Sequence, residues 1–312
     1  MSVLPTRYVL LRARLERFSR AMPGVESRDV QSVHRTRVST RRLRELLPVL
    51  QLDGGSVTKL SHQLRKITRR LGRVREADVM LLLIAELHES GRFAEPALRL
   101  VREAARATRD EARADIPAKE TASALRRIVR KLDRAARKLE GPEDAQTRRA
   151  WRWALDARVS RRALALRQAI DKAGSVYLAE RLHAARIALK KLRYGLELDV
   201  EARGLKSTQE LRTLKRMQEV LGRLHDHQIL IDHVRGVQAS LTPPSVSTWR
   251  DLDTVVMSLE ESCRRLHARY VRDRQTLIEI CDGLARRSVA AKAALTRRTV
   301  PAKNTQRRRR AG

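Results

Sequence analysis

The chain has 312 residues, with 68 Lys and Arg against 36 Asp and Glu, and a formal net charge of +32 at pH 7. This balance indicates a polyanionic partner: nucleic acid, an anionic membrane surface or an inorganic polyphosphate. Hydrophobic residues make up 42% of the chain, enough for a packed core, and the length suggests two domain-sized units. Aromatic residues are only 3%, which argues against a protein that stacks single-stranded bases on its side chains.

The N-terminal segment, MSVLPTRYVLLRARLERF, is interrupted by Arg too often for a signal peptide. No apolar run approaches the length that a membrane span requires, and basic residues are spread around several predicted helices. Cys263 and Cys281 do not have the spacing of metal ligands and are expected to be semi-buried thiols. These features predict a cytoplasmic protein that does not attach to membranes.

Helix-favouring residues dominate the sequence, and Gly and Pro punctuate it at regular intervals, which predicts an all-α fold. The punctuation divides the chain into halves of about 1–140 and 142–290, each with about four main helices joined by short connections, as in antiparallel bundles. In this division, 8–21 in the first half corresponds to 148–171 in the second. From Ala291 the apolar periodicity fades, and 291–312 is predicted to be a basic, disordered tail.

A basic pattern headed by His lies at 33–44 and reads VHRTRVSTRRLR. At about 100° per residue, four of its positions fall within an arc of about 80° on a helix: His34, Arg37, Arg41 and Arg44. The opposite side carries leucines and is predicted to face the core: Leu43, Leu46, Leu47 and Leu50. Arg42 lies outside the stripe and is expected to contact a neighbouring helix.

The pattern recurs 149 positions later, at 182–193, as LHAARIALKKLR. The matching cationic residues are His183, Arg186, Lys190, Lys191 and Arg193. An ordinary exposed helical face alternates charge sign because Glu–Lys pairs stabilise it, whereas these stripes contain almost no acidic residue. Since a duplicated array of cations repels itself, the repeat favours an anion-binding surface over a simple solvated face.

A second repeat follows each stripe, at 60–83 and 211–230, with a shared Leu-Gly-Arg at 71–73 and 221–223. Two trios of cations each fall within an arc of about 40°: His62, Lys66 and Arg73, and Arg212, Arg216 and Arg223. Arg65 matches Lys215 at a flanking position, while Arg69 is replaced by Glu219. The recurrent glycine costs about 1 kcal/mol against Ala in a helix, so we expect it to allow close helix packing.

These segments resemble the two signature regions of the CHAD family, the conserved histidine α-helical domain, over about 1–290. The resemblance implies two four-helix bundles related by pseudo-two-fold symmetry, with a basic central channel or groove. It also implies binding of inorganic polyphosphate and association with polyphosphate granules. By position, the implied polyphosphate-binding residues are His34, Arg37, Arg41, Arg42, Arg44, His183, Arg186, Lys190, Lys191 and Arg193. The second-helix cations are expected to add contacts: His62, Lys66, Arg73, Arg212, Arg216 and Arg223.

An enzyme acting on phosphate would need metal-holding carboxylates or an activated nucleophile in the basic site. The candidates are Glu76, Asp78, His225 and Asp226, but Asp78 becomes Gln228 in the other half and no Gly-rich phosphate loop is present. His225 and His227 are two residues apart and would not share a helical face, which argues against a metal site. We therefore expect no catalytic residue, metal or cofactor.

Two alternatives to polyphosphate binding remain open at this point. A basic helical protein could bind nucleic acid, and at this charge we expect at least weak, non-specific binding at low salt. The chain could also serve as an accessory or regulator of a polyphosphate-metabolising enzyme. If the two motif histidines contact the anion, affinity should rise as pH falls from about 8 to 6; if they only position the arginines, the profile should be flat.

Overall fold

The computed structural model describes residues 4–27, 29–243 and 245–299, with side chains to 287. The described residues contain no strand, so the all-α prediction is confirmed. A short 3-10 turn, Leu47–Val49, follows the third helix. The α-helices are α1 Arg7–Ala21, α2 Pro23–Glu26, α3 Val30–Leu46, α4 Gly54–Glu89, α5 Glu95–Ala114, α6 Ala118–Arg137, α7 Ala145–Ala173, α8 Ala179–Ala202, α9 Gln209–Ala239 and α10 Val246–Thr299.

Aspartate side chains cap α3 and α4, the two helices of the first half that carry the basic patterns. The Asp29 carboxylate accepts a hydrogen bond from the Ser32 amide at 2.7 Å, and Asp53 accepts one from Ser56 at 2.9 Å. These bonds satisfy amides that the first turn of α3 and of α4 would leave unpaired. The caps fix where the two helices begin, and therefore which of their side chains face each other.

The order of helices in the second half is repeated, with one change, in the first. Helices α1, α3 and α4 correspond to α7, α8 and α9, and α10 packs along both α9 and α7. In the first half that last place is taken by two helices, α5 against α4 and α6 against α1. The break falls at Asp115–Pro117, where proline cannot donate the hydrogen bond that a continuous helix needs. The expectation of four main helices per half therefore holds for the second half, while the first has one more.

The hydrophobic core forms two clusters, and each draws side chains from both halves. The larger cluster joins residues such as Phe18 and Leu43 from the first half to Trp151 and Leu189 from the second. The smaller cluster lies at the opposite end, where α4 and α5 meet α9 and α10 around side chains such as Ile84. Burial of apolar surface across the boundary holds the halves together, and this positions α3 and α4 opposite α8 and α9.

The last helix continues past the predicted start of the tail. Helix α10 runs to Thr299, whereas the tail was expected to begin at 291. The rest of that segment, 300–312, lies outside the described residues. Among the helices that the structure describes, none is long and apolar enough to cross a membrane.

Candidate anion-binding cavity

A cavity of about 720 Å³ lies where α3 and α4 face α8 and α9. Eleven Arg and Lys residues line it, against three carboxylates from Glu45, Glu76 and Asp226. Such an excess of one sign in a concave site focuses a positive potential that attracts anions. The cations are Arg37, Arg41, Arg44, Arg65, Arg69, Arg73, Arg75, Arg162, Arg186, Lys190 and Lys191.

Most of these cations have no carboxylate partner. Arg73 pairs with Asp115 at 2.7 Å, Arg162 with Glu45 at 2.9 Å, and Arg186 approaches Asp226 at 3.8 Å. No carboxylate of the described side chains lies within 4.0 Å of the other eight. Half-buried charges are normally paired, and five of these eight cations are half-buried: Arg37, Arg41, Arg44, Arg75 and Lys190. A bound anion would satisfy them.

Arg37 reaches into the cavity across α4, and a glycine makes room for it. Its guanidinium Nη1 donates to the Thr68 carbonyl at 2.7 Å and would lie 2.9 Å from a Cβ at position 72. Burial, reinforced by the nearby charge of Arg41, lowers the pKa of Arg37 to about 10. Gly72 therefore allows the close approach expected from the sequence, with an arginine side chain as the group that approaches.

The equivalent glycine in the second half serves no such contact. A Cβ added at Gly222 would meet nothing within 4 Å. Arg186, which corresponds to Arg37, instead points towards Asp226. The expectation that this glycine allows close packing is therefore wrong at Gly222, where the missing side chain leaves open space at the cavity wall.

Lys190 lies among other cations of the cavity, Arg186 and Arg41. Burial lowers the pKa of its ammonium group to about 7, and the charges of Arg186 and Arg41 act in the same direction. Asp226 opposes them, but burial raises the pKa of that carboxyl as well. The charged form of Lys190 is thus disfavoured until an anion enters, so binding should draw a proton onto it.

The two motif histidines have different neighbours. The Nδ1 atoms of His183 and His225 lie 3.1 Å apart, so one neutral ring must donate to the other. Burial, with the nearby charge of Arg186, lowers the pKa of His225 to about 3. His34 faces Arg75 instead, and burial together with that charge lowers its pKa too. All three rings line the cavity, and burial and the neighbouring cations lower the pKa of each.

The structure brings nine of the sixteen predicted site residues to this cavity and places seven elsewhere. Those that line it are His34, Arg37, Arg41, Arg44, Arg73, His183, Arg186, Lys190 and Lys191. Those that do not are Arg42, His62, Lys66, Arg193, Arg212, Arg216 and Arg223.

Arg193 and Arg42 both bond to the Glu197 carboxylate, and neither lines the cavity. Arg193 is buried; its Nε donates to Gln218 at 2.6 Å, its Nη1 bonds to Glu197, and its guanidinium lies 4.2 Å from the centre of the Tyr194 ring. Arg42 donates to the same carboxylate of Glu197 at 3.2 Å. Arg42 thus makes the expected contact with a neighbouring helix and stabilises the packing of α3 against α8, whereas Arg193 joins α8 to α9 through Gln218.

The three α9 cations point away from the cavity and bond to neighbouring side chains. Arg212 donates to Gln209 at 2.8 Å, Arg216 approaches Asp273 at 3.9 Å, and Arg223 pairs with Glu86 at 3.0 Å. On α4, Lys66 lines a separate groove beside α6, while His62 is exposed and lines neither space. Of the six second-helix cations, only Arg73 lines the cavity, so the contacts that the resemblance implies for the other five are not contacts with this cavity.

The α4 cations that do line the cavity are Arg65, Arg69 and Arg73, with Arg75 beside them. Their spacing of four residues was visible in the sequence, but basic residues occupy so many α4 positions that a stripe centred on Lys66 fits equally well. Arg162 on α7 also lines the cavity, and no sequence motif predicted it as a site residue.

The carboxylates of the cavity do not assemble into a metal centre. Among the described residues, no three His, Cys, Asp or Glu side chains come together as metal ligands. Asp78 is buried beside Arg113, 3.8 Å away, and burial raises its pKa. Of the cavity carboxylates, Glu45 pairs with Arg162 and Asp226 approaches Arg186, where each can orient a guanidinium group. Glu76 makes no ion pair with a described side chain but adds a negative charge near Arg37.

The fold and cavity define an all-helical protein in which two similar halves enclose a cationic space. The chain belongs to the CHAD domain family, whose model matches residues 9–235. A comparison with curated proteins gives no match. Among solved structures, PptA from Streptomyces chartreusis is similar, with 19% identity, a TM-score of 0.57, and coverage of 92% of this chain and 99% of PptA. The CHAD domain from the plant Ricinus communis has 22% identity, a TM-score of 0.52 and 89% coverage of both chains.

Proposed function

We propose that this protein binds inorganic polyphosphate in the central cavity, as a binding module with no catalytic step of its own. The observation that carries the proposal is the set of eight cations with no carboxylate partner around one space. Arginine offers a planar fork of donors to phosphate oxygens and lysine a compact charge. A polymer of phosphates would neutralise many of these cations with a single ligand.

The cavity lining favours phosphate over bases. Apart from the three histidines, Tyr194 is the only aromatic residue in the lining, and its ring is covered by Arg193. Single-stranded nucleic acid is normally held by stacking of successive bases on aromatic side chains. A ligand without bases therefore matches this surface better than RNA or single-stranded DNA.

Granule association and control of a polyphosphate-metabolising enzyme are two consequences that this binding would allow. A protein that holds a polyphosphate chain through its cavity would accumulate wherever such chains are stored. It could also present or withhold the polymer from an enzyme. Both roles would depend on polyphosphate binding in the cavity.

A competition experiment at about 150 mM salt tests the proposal, because exposed charges are screened there beyond about 8 Å. Labelled long-chain polyphosphate is displaced by unlabelled polyphosphate, tripolyphosphate, single-stranded RNA or duplex DNA. We expect polyphosphate to compete at least about tenfold better than nucleic acid at equal phosphate concentration. Equal displacement by nucleic acid would contradict the proposal, and metal-dependent release of phosphate would show an enzyme instead.

A further inference from the structure

A second basic surface lies on the outside of the first half, on both sides of α6. One groove, between α1 and α6, has a volume of about 860 Å³, and the other, between α4 and α6, about 480 Å³. Arg127 and Lys131 line both grooves, so the two form one continuous surface, which we call the α6 surface.

The α6 surface carries eight cations against three carboxylates, Glu16, Glu120 and Asp133. Asp133 is already bonded to Arg12 at 2.6 Å and to Arg137 at 3.0 Å. The remaining six cations have no carboxylate of the described side chains within 4.0 Å: Lys66, Arg70, Arg127, Arg130, Lys131 and Arg134.

The α6 surface continues into the central cavity across α4. Arg65 and Arg69 line the cavity, while Lys66 and Arg70, the next residues along the helix, line the groove beside α6. Adjacent Cα atoms are only about 3.8 Å apart, and all four side chains are exposed. A flexible anionic chain could therefore pass from one site to the other without leaving a cationic path.

The corresponding helix of the second half offers no such path. Helix α6 has seven Arg and Lys against two carboxylates over twenty residues, whereas 246–287 of α10 has eight against seven. Four of these eight α10 arginines are also paired with carboxylates, for example Arg287 with Glu210 at 2.6 Å and Arg274 with Asp171 at 3.5 Å. The outer surface that could hold an anion therefore belongs to the first half.

We propose that the α6 surface is a secondary polyphosphate site, occupied by the part of a long chain that leaves the central cavity across α4. The inference rests on the proposed function, since it concerns the same ligand. Once one part of the chain is held in the cavity, the next part binds at a high effective concentration. Affinity should then keep rising with chain length beyond the length that fills the cavity.

A charge-reversal pair tests this proposal in the full chain. Arg127→Glu/Lys131→Glu places two carboxylates where both grooves meet, at exposed positions four residues apart. The matched control, Arg265→Glu/Arg269→Glu, makes the same charge change at exposed positions four apart on α10. For each protein, the affinities for tripolyphosphate and for long-chain polyphosphate are measured at about 150 mM salt, with circular dichroism to verify folding.

We expect the α6 variant to bind tripolyphosphate within about twofold of wild type, while its preference for the long chain falls at least about tenfold. The α10 control should keep that preference. An unchanged preference in the α6 variant, or an equal loss in the control, would overturn the secondary site. Arg41→Ala/Lys190→Ala separates the two proposals, because it should lose tripolyphosphate itself; if it does not, the cavity assignment fails instead.

Discussion

The helix pairs α3–α4 and α8–α9 share the same repeated sequence pattern but contribute different numbers of cations to the cavity. The first pair supplies seven of the eleven cations and the second supplies three, with Arg162 on α7 as the remaining one. On α9 the corresponding positions are turned to other uses: Glu219 stands where Arg69 would be, His225 stands where Arg75 would be, and Arg223 pairs with Glu86. A repeated motif therefore identifies where a site lies but not which copy of each residue serves it.

The largest expected effect is a loss of polyphosphate affinity when cavity cations, and not α9 cations, are replaced. Arg41→Ala/Lys190→Ala/Lys191→Ala removes three unpaired cations from the cavity. Each bond to a phosphate is charge-assisted and worth about 1.5–3 kcal/mol, so affinity for polyphosphate should fall at least about 1,000-fold. Equilibrium binding at about 150 mM salt measures the loss.

The matched control removes three cations that the same motifs predicted, Arg212→Ala/Arg216→Ala/Arg223→Ala. These side chains point away from the cavity, so the loss should be about fivefold or less and should reflect net charge alone. Equal losses in the two variants would mean that total charge, and not the cavity, determines binding.

The second effect distinguishes Arg193 from Arg44, which occupy the same motif position. Arg193→Ala removes the hydrogen bonds to Gln218 and Glu197, although Glu197 keeps its bond to Arg42, and should lower the free energy of unfolding by about 2 kcal/mol. Arg44→Ala, at the cavity wall, should change stability by about 0.5 kcal/mol or less but weaken polyphosphate binding. Urea unfolding and binding, measured on both variants, check this; a stable Arg193 variant with weakened binding would reverse the assignment.

The third effect is a pH dependence of polyphosphate affinity, caused by the titration of Lys190. Its pKa is about 7 in the empty cavity, and a bound polyanion raises it, so binding takes up a proton above pH 7. The contribution of Lys190 to affinity should therefore be full below pH 7, and affinity should fall by up to about tenfold per pH unit as pH rises from 7 towards 9. Burial of Lys190 is the main cause of this lowered pKa; the charges of Arg186 and Arg41 lower it further, and the charge of Asp226 opposes them.

Lys190→Arg supplies the control for that profile, because arginine stays protonated throughout the range. Its affinity should change little between pH 7 and 9. His34→Ala/His183→Ala should instead flatten the profile below about pH 6.5, because burial and nearby cations hold both pKa values low in the empty site. If Lys190→Arg keeps the wild-type slope, another group takes up the proton.

The smallest effect compares the two glycines. Gly222→Ala meets no atom within 4 Å and gains helix propensity, so the free energy of unfolding should rise by about 1 kcal/mol. Gly72→Ala gains the same propensity but forces Arg37 from its bond to the Thr68 carbonyl, which offsets the gain by about 1 kcal/mol. Thermal or urea unfolding measures the difference, and equal stabilisation of both variants would show that Arg37 relocates without cost.

The sequence predicted the helices well because their signals are local. Apolar residues at helical spacing, caps such as Asp29 and breaks such as Pro117 depend only on near neighbours. The α3 and α8 stripes were predicted for the same reason, since leucines opposite the cations fix which side faces the core. Pro117 marked the break between α5 and α6 in the sequence. The sequence did not show that this break gives the first half one more main helix than the second.

The remaining errors come from contacts between distant parts of the chain. Whether Arg193 faces a phosphate or Gln218 depends on how α8 packs against α9, which no local pattern records. On α4, basic residues occupy adjacent positions from 65 to 66 and from 69 to 70. Choosing the stripe that faces the cavity required the position of α9, and choosing Lys66 in place of Arg65 rotated the predicted site by about 100°.

The most direct test of the central claim is a crystal structure of the protein with tripolyphosphate, a ligand short enough to be held by the cavity alone. The account predicts phosphate groups between α3 and α8, within hydrogen-bonding distance of Arg41 and Lys190, with His183 and His225 rearranged around them. Phosphate found only on the outer helices, with the central cavity unoccupied, would contradict it.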